Sequence, residues 1–97
     1  MHKREIPYQP GAMLYEVILG CLRARGISFT DWCDGHDFNQ NTVRNAMFGQ
    51  SRGPRGREQL DMIIQHAGPE FVARAYADRI RRHVAEVDAA MKARGWK

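Results

Sequence analysis

The stretch SFTDWCDGHDFNQNTVRNAMFG, residues 28–49, decides the fold because it predicts two short helices joined by a tight turn. Ser28 begins an S-x-x-D sequence with Asp31, in which the hydroxyl caps a helical N–H and the carboxylate reaches back. Apolar side chains then recur on one helical face, at Phe29, Trp32 and Cys33. The first half of the stretch therefore predicts a capped amphipathic helix.

The second half of the stretch predicts a turn and then another helix. Asp37 tolerates the left-handed backbone conformation that a sharp turn needs, and Asn39 is a favourable N-cap. Gly49 is typical of the position after a helix end. The inner face of this helix carries Val43, Ala46 and Met47.

The outer face of the second helix carries polar side chains that suit base edges. They are Gln40, Asn41, Arg44 and Asn45. Gln and Asn match the donor and acceptor of adenine, and Arg matches the two acceptors of guanine. The pattern predicts a helix-turn-helix whose second helix, residues 39–48, reads DNA bases.

This stretch resembles the Cro/repressor-type helix-turn-helix domains (Xre-like, lambda-repressor-like), and among them the small Ner-like phage regulators. The matching positions are Ser28, Phe29, Thr30, Asp31, His36, Phe38, Asn39, Thr42, Val43, Arg44, Asn45, Ala46 and Met47. Three positions depart from the family pattern: Trp32 replaces Leu, Cys33 replaces Ala and Asp37 replaces Gly. The resemblance covers residues 28–67 and implies a compact bundle of four or five helices whose third helix enters the major groove. It also implies regulation of a phage, prophage or mobile-element operon.

The distribution of charge suits a polyanionic partner. The formal net charge is +4, and residues 39–57 hold four arginines and no acidic residue. Three of these arginines lie in a glycine-rich segment, residues 49–57, that predicts a flexible cationic loop. The predicted phosphate contacts are Ser28, Thr42, Arg52, Arg55 and Arg57. The alternative is a solvated loop whose arginines only favour solubility.

Apolar periodicity predicts two further helices in this part of the chain. The first covers residues 12–25, where Gly20 indicates a close helix contact, and the other covers residues 58–66. The predicted core consists of Val17, Ile18, Leu22, Phe29, Trp32, Val43, Met47, Leu60, Ile63 and Ile64. Together with the C-terminal segment, these elements predict an all-α fold of five helices.

The C-terminal segment predicts a long helix from Pro69 to about Ala93, uninterrupted by proline or glycine. Phe71, Val72 and Tyr76 are expected to anchor its start in the core. Further along, a heptad seam predicts a homodimer interface at Ala77, Ile80, Val84, Val87 and Met91. The alternative is a helix folded back over its own domain.

The domain organisation predicted from these segments is an arm, a DNA-binding domain and a dimerisation element. The arm covers residues 1–11, the helix-turn-helix domain residues 12–68 and the C-terminal element residues 69–97. The arm contains Pro7 and Pro10 and no periodicity, so it is either a DNA-contacting extension or a frayed terminus.

Several function classes are not expected. The two cysteines and four histidines have no spacing typical of a metal, disulfide or catalytic site, so neither metal nor cofactor is predicted. The chain is short for an enclosed pocket of several hundred Å³, so neither an enzyme nor a small-molecule ligand is expected. No apolar run is long enough for a signal peptide or a membrane span, and a cytoplasmic location is expected.

Two functions from different classes fit these observations. The first is a DNA-binding transcriptional regulator, a repressor that binds an inverted repeat in double-stranded DNA as a homodimer. The second is a protein-interaction module whose long C-terminal helix binds an acidic partner such as RNA polymerase or a toxin. The acid-free segment of residues 39–57 favours the first.

Overall fold

The computed structural model of the chain describes residues 5–50 and 53–96. Five α-helices follow one another: α1 (Ala12–Ala24), α2 (Phe29–Gly35), α3 (Gln40–Met47), α4 (Pro54–Ala67) and α5 (Pro69–Ala93). Within these described residues there is no β-strand. The all-α prediction, with five helices and a long C-terminal one, is confirmed.

Side-chain caps and one left-handed residue define the boundaries of α2 and α3. The Oγ of Ser28 accepts a hydrogen bond from the backbone N of Asp31 at 3.3 Å. Asn39 Oδ1 accepts from the backbone N of Asn41 at 2.9 Å and of Thr42 at 3.3 Å. Asp37 has a φ of 57° and is the non-glycine residue with positive φ in the described chain. Both predicted caps and the predicted turn residue are confirmed.

Helix α4 begins earlier than the sequence pattern predicted. It starts at Pro54, which occupies the first turn after the N-cap Gly53. Proline is favourable there because its fixed φ suits a helix and the missing N–H would have no helical partner. Arg55 and Arg57 therefore belong to the first turn of a helix, and the prediction of a flexible loop up to residue 57 is wrong. Arg52 lies outside the described residues.

The core lies between α1, α2, α3, α4 and the first half of α5. Its fully buried large side chains are Leu14, Ile18, Leu22, Met47, Ile63, Val43, Val72 and Cys33. Eight of the ten predicted core residues are buried, including Trp32 at 6% exposure. The other two, Phe29 and Leu60, are half-buried and pack against the edge of the same cluster.

Two predicted contacts of the core are wrong. Phe71 is 65% exposed, whereas its neighbour Val72 is fully buried. Successive helical residues point about 100° apart, and α5 docks so that its buried residues are Val72 and Tyr76 while Phe71 faces away. Gly20 is exposed, and no atom lies within 4 Å of the position a Cβ would take. It therefore makes no close helix contact.

The described part of the arm is packed against the domain. Gln9 donates its backbone N–H to the hydroxyl of Tyr76 at 2.9 Å, and Gly11 donates to the carbonyl of Met47 at 2.9 Å. The rings of Tyr8 and Tyr76 meet edge to face with centroids 5.0 Å apart. Residues 8–11 of the arm are therefore not frayed, and residues 1–4 lie outside the described residues.

The second half of α5 extends beyond the domain. Residues 81–90 are all exposed, and the molecule measures 52 Å along its longest axis. The alternative in which this helix folds back over its own domain is therefore wrong. Among the described helices, none combines the length and apolar character that a membrane span requires.

Candidate nucleic-acid interface

The outer face of α3 presents the predicted base-reading side chains together. Asn41 and Asn45 are exposed, and Gln40 and Arg44 are partly exposed. The opposite face is anchored in the core by Val43, Ala46 and Met47, all of them buried. Because the inner face is fixed, the orientation of the outer face is fixed as well.

Arg44 is held in place by three neighbours. Its Nη1 donates to Asn41 Oδ1 at 3.1 Å, and its Nε donates to the hydroxyl of Tyr15 at 3.5 Å. The guanidinium carbon lies 5.6 Å from the ring centroid of Phe29, at cation–π distance. A guanidinium has five N–H donors, so donors remain for a base or a phosphate. The contacts reduce the side-chain freedom that binding would have to remove.

An aromatic cluster fixes α2 against α4 and the turn. Trp32 Nε1 donates to His66 Nδ1 at 2.6 Å, and its ring lies 4.5 Å from that of His36 and 5.7 Å from that of Phe38. His36 Nδ1 in turn donates to the carbonyl of Trp32 at 2.8 Å. Nδ1 of His66 is the acceptor of the first of these bonds, so that bond joins the ring of Trp32 in α2 directly to the end of α4. Trp32, one of the departures from the family pattern, thus connects three elements.

The predicted phosphate-contacting residues lie on both sides of α3. Arg55 and Arg57 are exposed in the first turn of α4, whose unpaired backbone N–H groups also favour an anion. Arg57 borders a cleft that Ala46 and Phe48 of the α3 end also line. Ser28 is exposed and its oxygen is used as a cap, which leaves its hydroxyl proton available, and Thr42 is half-buried.

The electrostatic surroundings of α3 are mostly neutral or positive. Of the described residues from Asn39 to Arg57, none is acidic. Asp34 of α2 borders a shallow cleft with Gln40 and Asn41, so one carboxylate lies near the start of α3. A phosphate is therefore better accommodated toward the α4 end of the surface than beside Asp34.

An apolar cleft lies elsewhere, between α1 and α5. It has a volume of about 530 Å³ and is open to solvent on one side. Its charged residues include Glu16 and Arg79, which pair at 2.8 Å. Burial raises the pKa of the Cys21 thiol at its wall, which disfavours a thiolate nucleophile. Nowhere in the described residues do three metal-ligating side chains cluster.

The predicted dimer residues form an exposed apolar stripe on α5. Ile80 is 38% exposed, Val84 51% and Val87 44%, while Ala77 and Met91 are half-buried. They follow one another at spacings of three and four, so they share one face of the helix. No other described element covers this stripe at residues 81–90.

The sequence analysis did not identify the residues that support the outer face of α3 from behind. Tyr15 and Phe29 position Arg44, and Tyr76 fixes the arm next to the end of α3. Tyr15 is an aromatic residue three positions before the core residue Ile18, and this spacing gave no sign that its hydroxyl contacts Arg44.

No known protein-family model matches the chain, and neither a curated protein nor a solved structure matches it significantly.

Proposed function

We propose that this protein is a sequence-specific DNA-binding transcriptional regulator, a repressor of a phage, prophage or mobile-element operon. It would act in the cytoplasm as a homodimer on an inverted repeat in double-stranded DNA. The observation that carries the proposal is the outer face of α3. Base-matching side chains stand there on a rigid helix, with exposed arginines on the adjoining turn of α4.

Within this proposal, α3 supplies sequence recognition. Arg44 binds the O6 and N7 acceptors of a guanine, and Asn41 or Asn45 binds the N6 and N7 of an adenine. Each such bidentate pair contributes about 1–3 kcal/mol of discrimination against the wrong base. Gln40, at the start of α3, is in the position from which helix-turn-helix proteins contact base edges.

Arg55 and Arg57 supply affinity that does not depend on sequence. They would contact phosphates flanking the bases that α3 reads, together with the hydroxyls of Ser28 and Thr42. Phosphate contacts release counterions, so the affinity should fall as the salt concentration rises. The net charge of +4 also favours association with the negatively charged DNA.

The protein-interaction alternative is supported by the exposed second half of α5. An acidic partner, however, would need a cationic surface, and α5 carries five basic residues interspersed with four acidic ones. Its exposed stripe is apolar rather than cationic. These features favour pairing with an apolar surface, such as a second copy of the chain, over capture of an acidic protein.

The experiment that tests the proposal compares two arginine variants on a preferred duplex and on unrelated duplexes. Arg44→Ala should lose about 1–3 kcal/mol on the preferred duplex and relax its preference at one base pair. Arg55→Ala should weaken binding to all duplexes alike and reduce the salt slope by about one. Arg74→Ala, which removes an exposed arginine of α5 paired with Glu70, is the matched control and should change neither.

If Arg44→Ala left both affinity and preference unchanged, the role assigned to α3 would be wrong. The double variant Arg44→Ala with Arg55→Ala should bind duplex DNA more weakly than the unmodified protein. If the two bound with equal affinity, the proposed function as a whole would be wrong. Fluorescence anisotropy with labelled duplexes at several salt concentrations measures both outcomes.

A further inference from the structure

The large side chains of the exposed stripe on α5 have a spacing that reads the same in both directions. They are Ile80, Val84, Val87 and Met91, at spacings of four, three and four, and only the small Ala77 at the start of the stripe lies outside this pattern. The centre of this pattern lies between Ala85 and Glu86, which is also the middle of the fully exposed run of residues 81–90. A second α5 running in the opposite direction can therefore bring all four apolar side chains into register.

Two opposite charges flank the same side of the stripe one heptad apart. Arg81 directly follows Ile80 and Asp88 directly follows Val87, so the two charged residues lie on the same side of the stripe. Arg81 pairs only with Asp78 on its own helix, at 3.0 Å with both side chains well exposed. Asp88 makes no ion pair with another described residue. Each is thus available to a neighbouring helix.

We propose that two copies of the chain pair through α5 in antiparallel orientation. Ile80 then packs against Met91 of the partner subunit, and Val84 packs against Val87 of the partner subunit. The same register places Arg81 opposite Asp88 of the partner subunit, and the two-fold axis repeats this pair. The inference rests on the homodimer of the proposed function and specifies its orientation.

Charge and burial favour this orientation over a parallel one. A parallel pair would bring Arg81 next to Tyr76 of the partner subunit, and Tyr76 is already buried and bonded to Gln9 of its own chain. It would also align the two helix dipoles, whereas antiparallel helices place opposite helix ends together. Only the antiparallel register forms two Arg81–Asp88 pairs.

The antiparallel pair also sets the spacing of the two DNA-binding domains. Tyr76, where α5 leaves its domain, would lie roughly 28 Å along the helix axis from its equivalent in the partner subunit. Successive major grooves on one face of DNA are about 34 Å apart. The domains thus stand at opposite ends of the helix pair, at a separation comparable with the spacing of two half-sites.

Cysteine cross-linking of the full-length protein tests the orientation. Ile80→Cys and Met91→Cys are prepared separately, one of them with a size tag, and oxidised alone or mixed. The antiparallel pair predicts a disulfide-linked heterodimer in the mixture and little product from either variant alone, since two copies of residue 80 would lie about 16 Å apart along the axis. Ala89→Cys, on the opposite face of α5, is the matched control and should not cross-link.

A charge exchange provides an independent measurement. Arg81→Glu and Asp88→Arg should each weaken self-association roughly tenfold, because two attractive pairs become repulsive. An equimolar mixture of these two variants should form a heterodimer preferentially, since both of its pairs are attractive again. A parallel dimer predicts no such restoration.

The outcomes separate this inference from the proposed function. Cross-linking of Ile80→Cys to itself would overturn the antiparallel orientation and leave DNA recognition by α3 intact. A monomer at tens of micromolar in sedimentation would overturn both the orientation and the homodimer. An antiparallel dimer without sequence preference for DNA would support the orientation and overturn the proposed function.

Discussion

The indole N–H of Trp32 donates to Nδ1 of His66 across 2.6 Å and thereby joins α2 to the end of α4. Trp32 is 6% exposed, so its N–H has little access to water. Arg25 reinforces the same corner, since its Nη1 donates to the carbonyl of His66 at 2.8 Å. These two hydrogen bonds to His66 help to position α2 and, through the turn that follows it, α3.

Removing the acceptor should destabilise the fold. His66→Ala removes the acceptor of a part-buried hydrogen bond, whose net contribution to the free energy of unfolding is about 0.5–1.5 kcal/mol. Gln65→Ala removes an exposed neighbouring side chain and should change that free energy by less than about 0.5 kcal/mol. Urea denaturation followed by tryptophan fluorescence measures both. Equal stability of the two variants would contradict the structural role of this hydrogen bond.

The boundaries of α2 and α3 could be predicted in detail because their signals are local. Ser28 and Asn39 cap helices through their own neighbours, and Asp37 adopts positive φ within the turn itself. The start of α4 was also marked locally, by Pro54 after Gly53, but the surrounding glycines and arginines resemble a loop. Residue propensities alone did not decide whether residues 54–57 form a loop or a helix, whereas packing against α3 favours the helix.

Contacts between distant residues were not predictable from spacing. Gln9 and Tyr76 are 67 positions apart, and nothing in either segment indicates their hydrogen bond. Phe71 and Val72 are both apolar, and only the docking angle of α5 decides which one is buried. Gln59, 6% exposed, is a polar residue whose burial follows from its place in α4 and not from its type.

Removing the hydroxyl of Tyr76 should release the arm. Tyr76→Phe loses the acceptor of the Gln9 N–H, a bond whose net contribution is about 1 kcal/mol. Hydrogen exchange at the Gln9 amide should become roughly fivefold faster, because the arm opens more often. Tyr15→Phe is the matched control, since its hydroxyl contacts Arg44 and not the arm. Unchanged exchange at Gln9 in Tyr76→Phe would show that other contacts hold the arm.

The buried thiols should make the fold less stable at alkaline pH. Burial raises the pKa of the Cys33 thiol, with a further rise from the charge of Asp34, and burial raises the pKa of Cys21. As pH rises, the unfolded chain loses these protons first, so stability is fully present below about pH 8.5 and declines above it. Urea denaturation across this range should show a shallower decline for Cys33→Ala. An identical decline in both proteins would contradict burial as the cause.

Charging the apolar stripe of α5 should separate the proposed dimer without unfolding the domain. The double variant Ile80→Asp and Val87→Asp removes interface side chains that contribute roughly 1.5–3 kcal/mol each when buried. Analytical ultracentrifugation should find a monomer, with a helical content close to that of the unmodified protein. The control, Ala85→Asp with Ala89→Asp, adds the same charge to the outer face and should remain dimeric. If the variant with Ile80→Asp and Val87→Asp remained dimeric, the dimer interface would lie elsewhere.

Selection from a pool of random duplexes, with sequencing of the bound fraction, tests the central claim most directly. The claim is that the outer face of α3 reads base pairs as one half of a symmetric dimer. The predicted result is an enriched inverted repeat with half-site centres about 34 Å apart, and loss of preference at one position of each half-site in Arg44→Ala. Bound sequences no different from the starting pool, or an identical motif selected by Arg44→Ala, would contradict it.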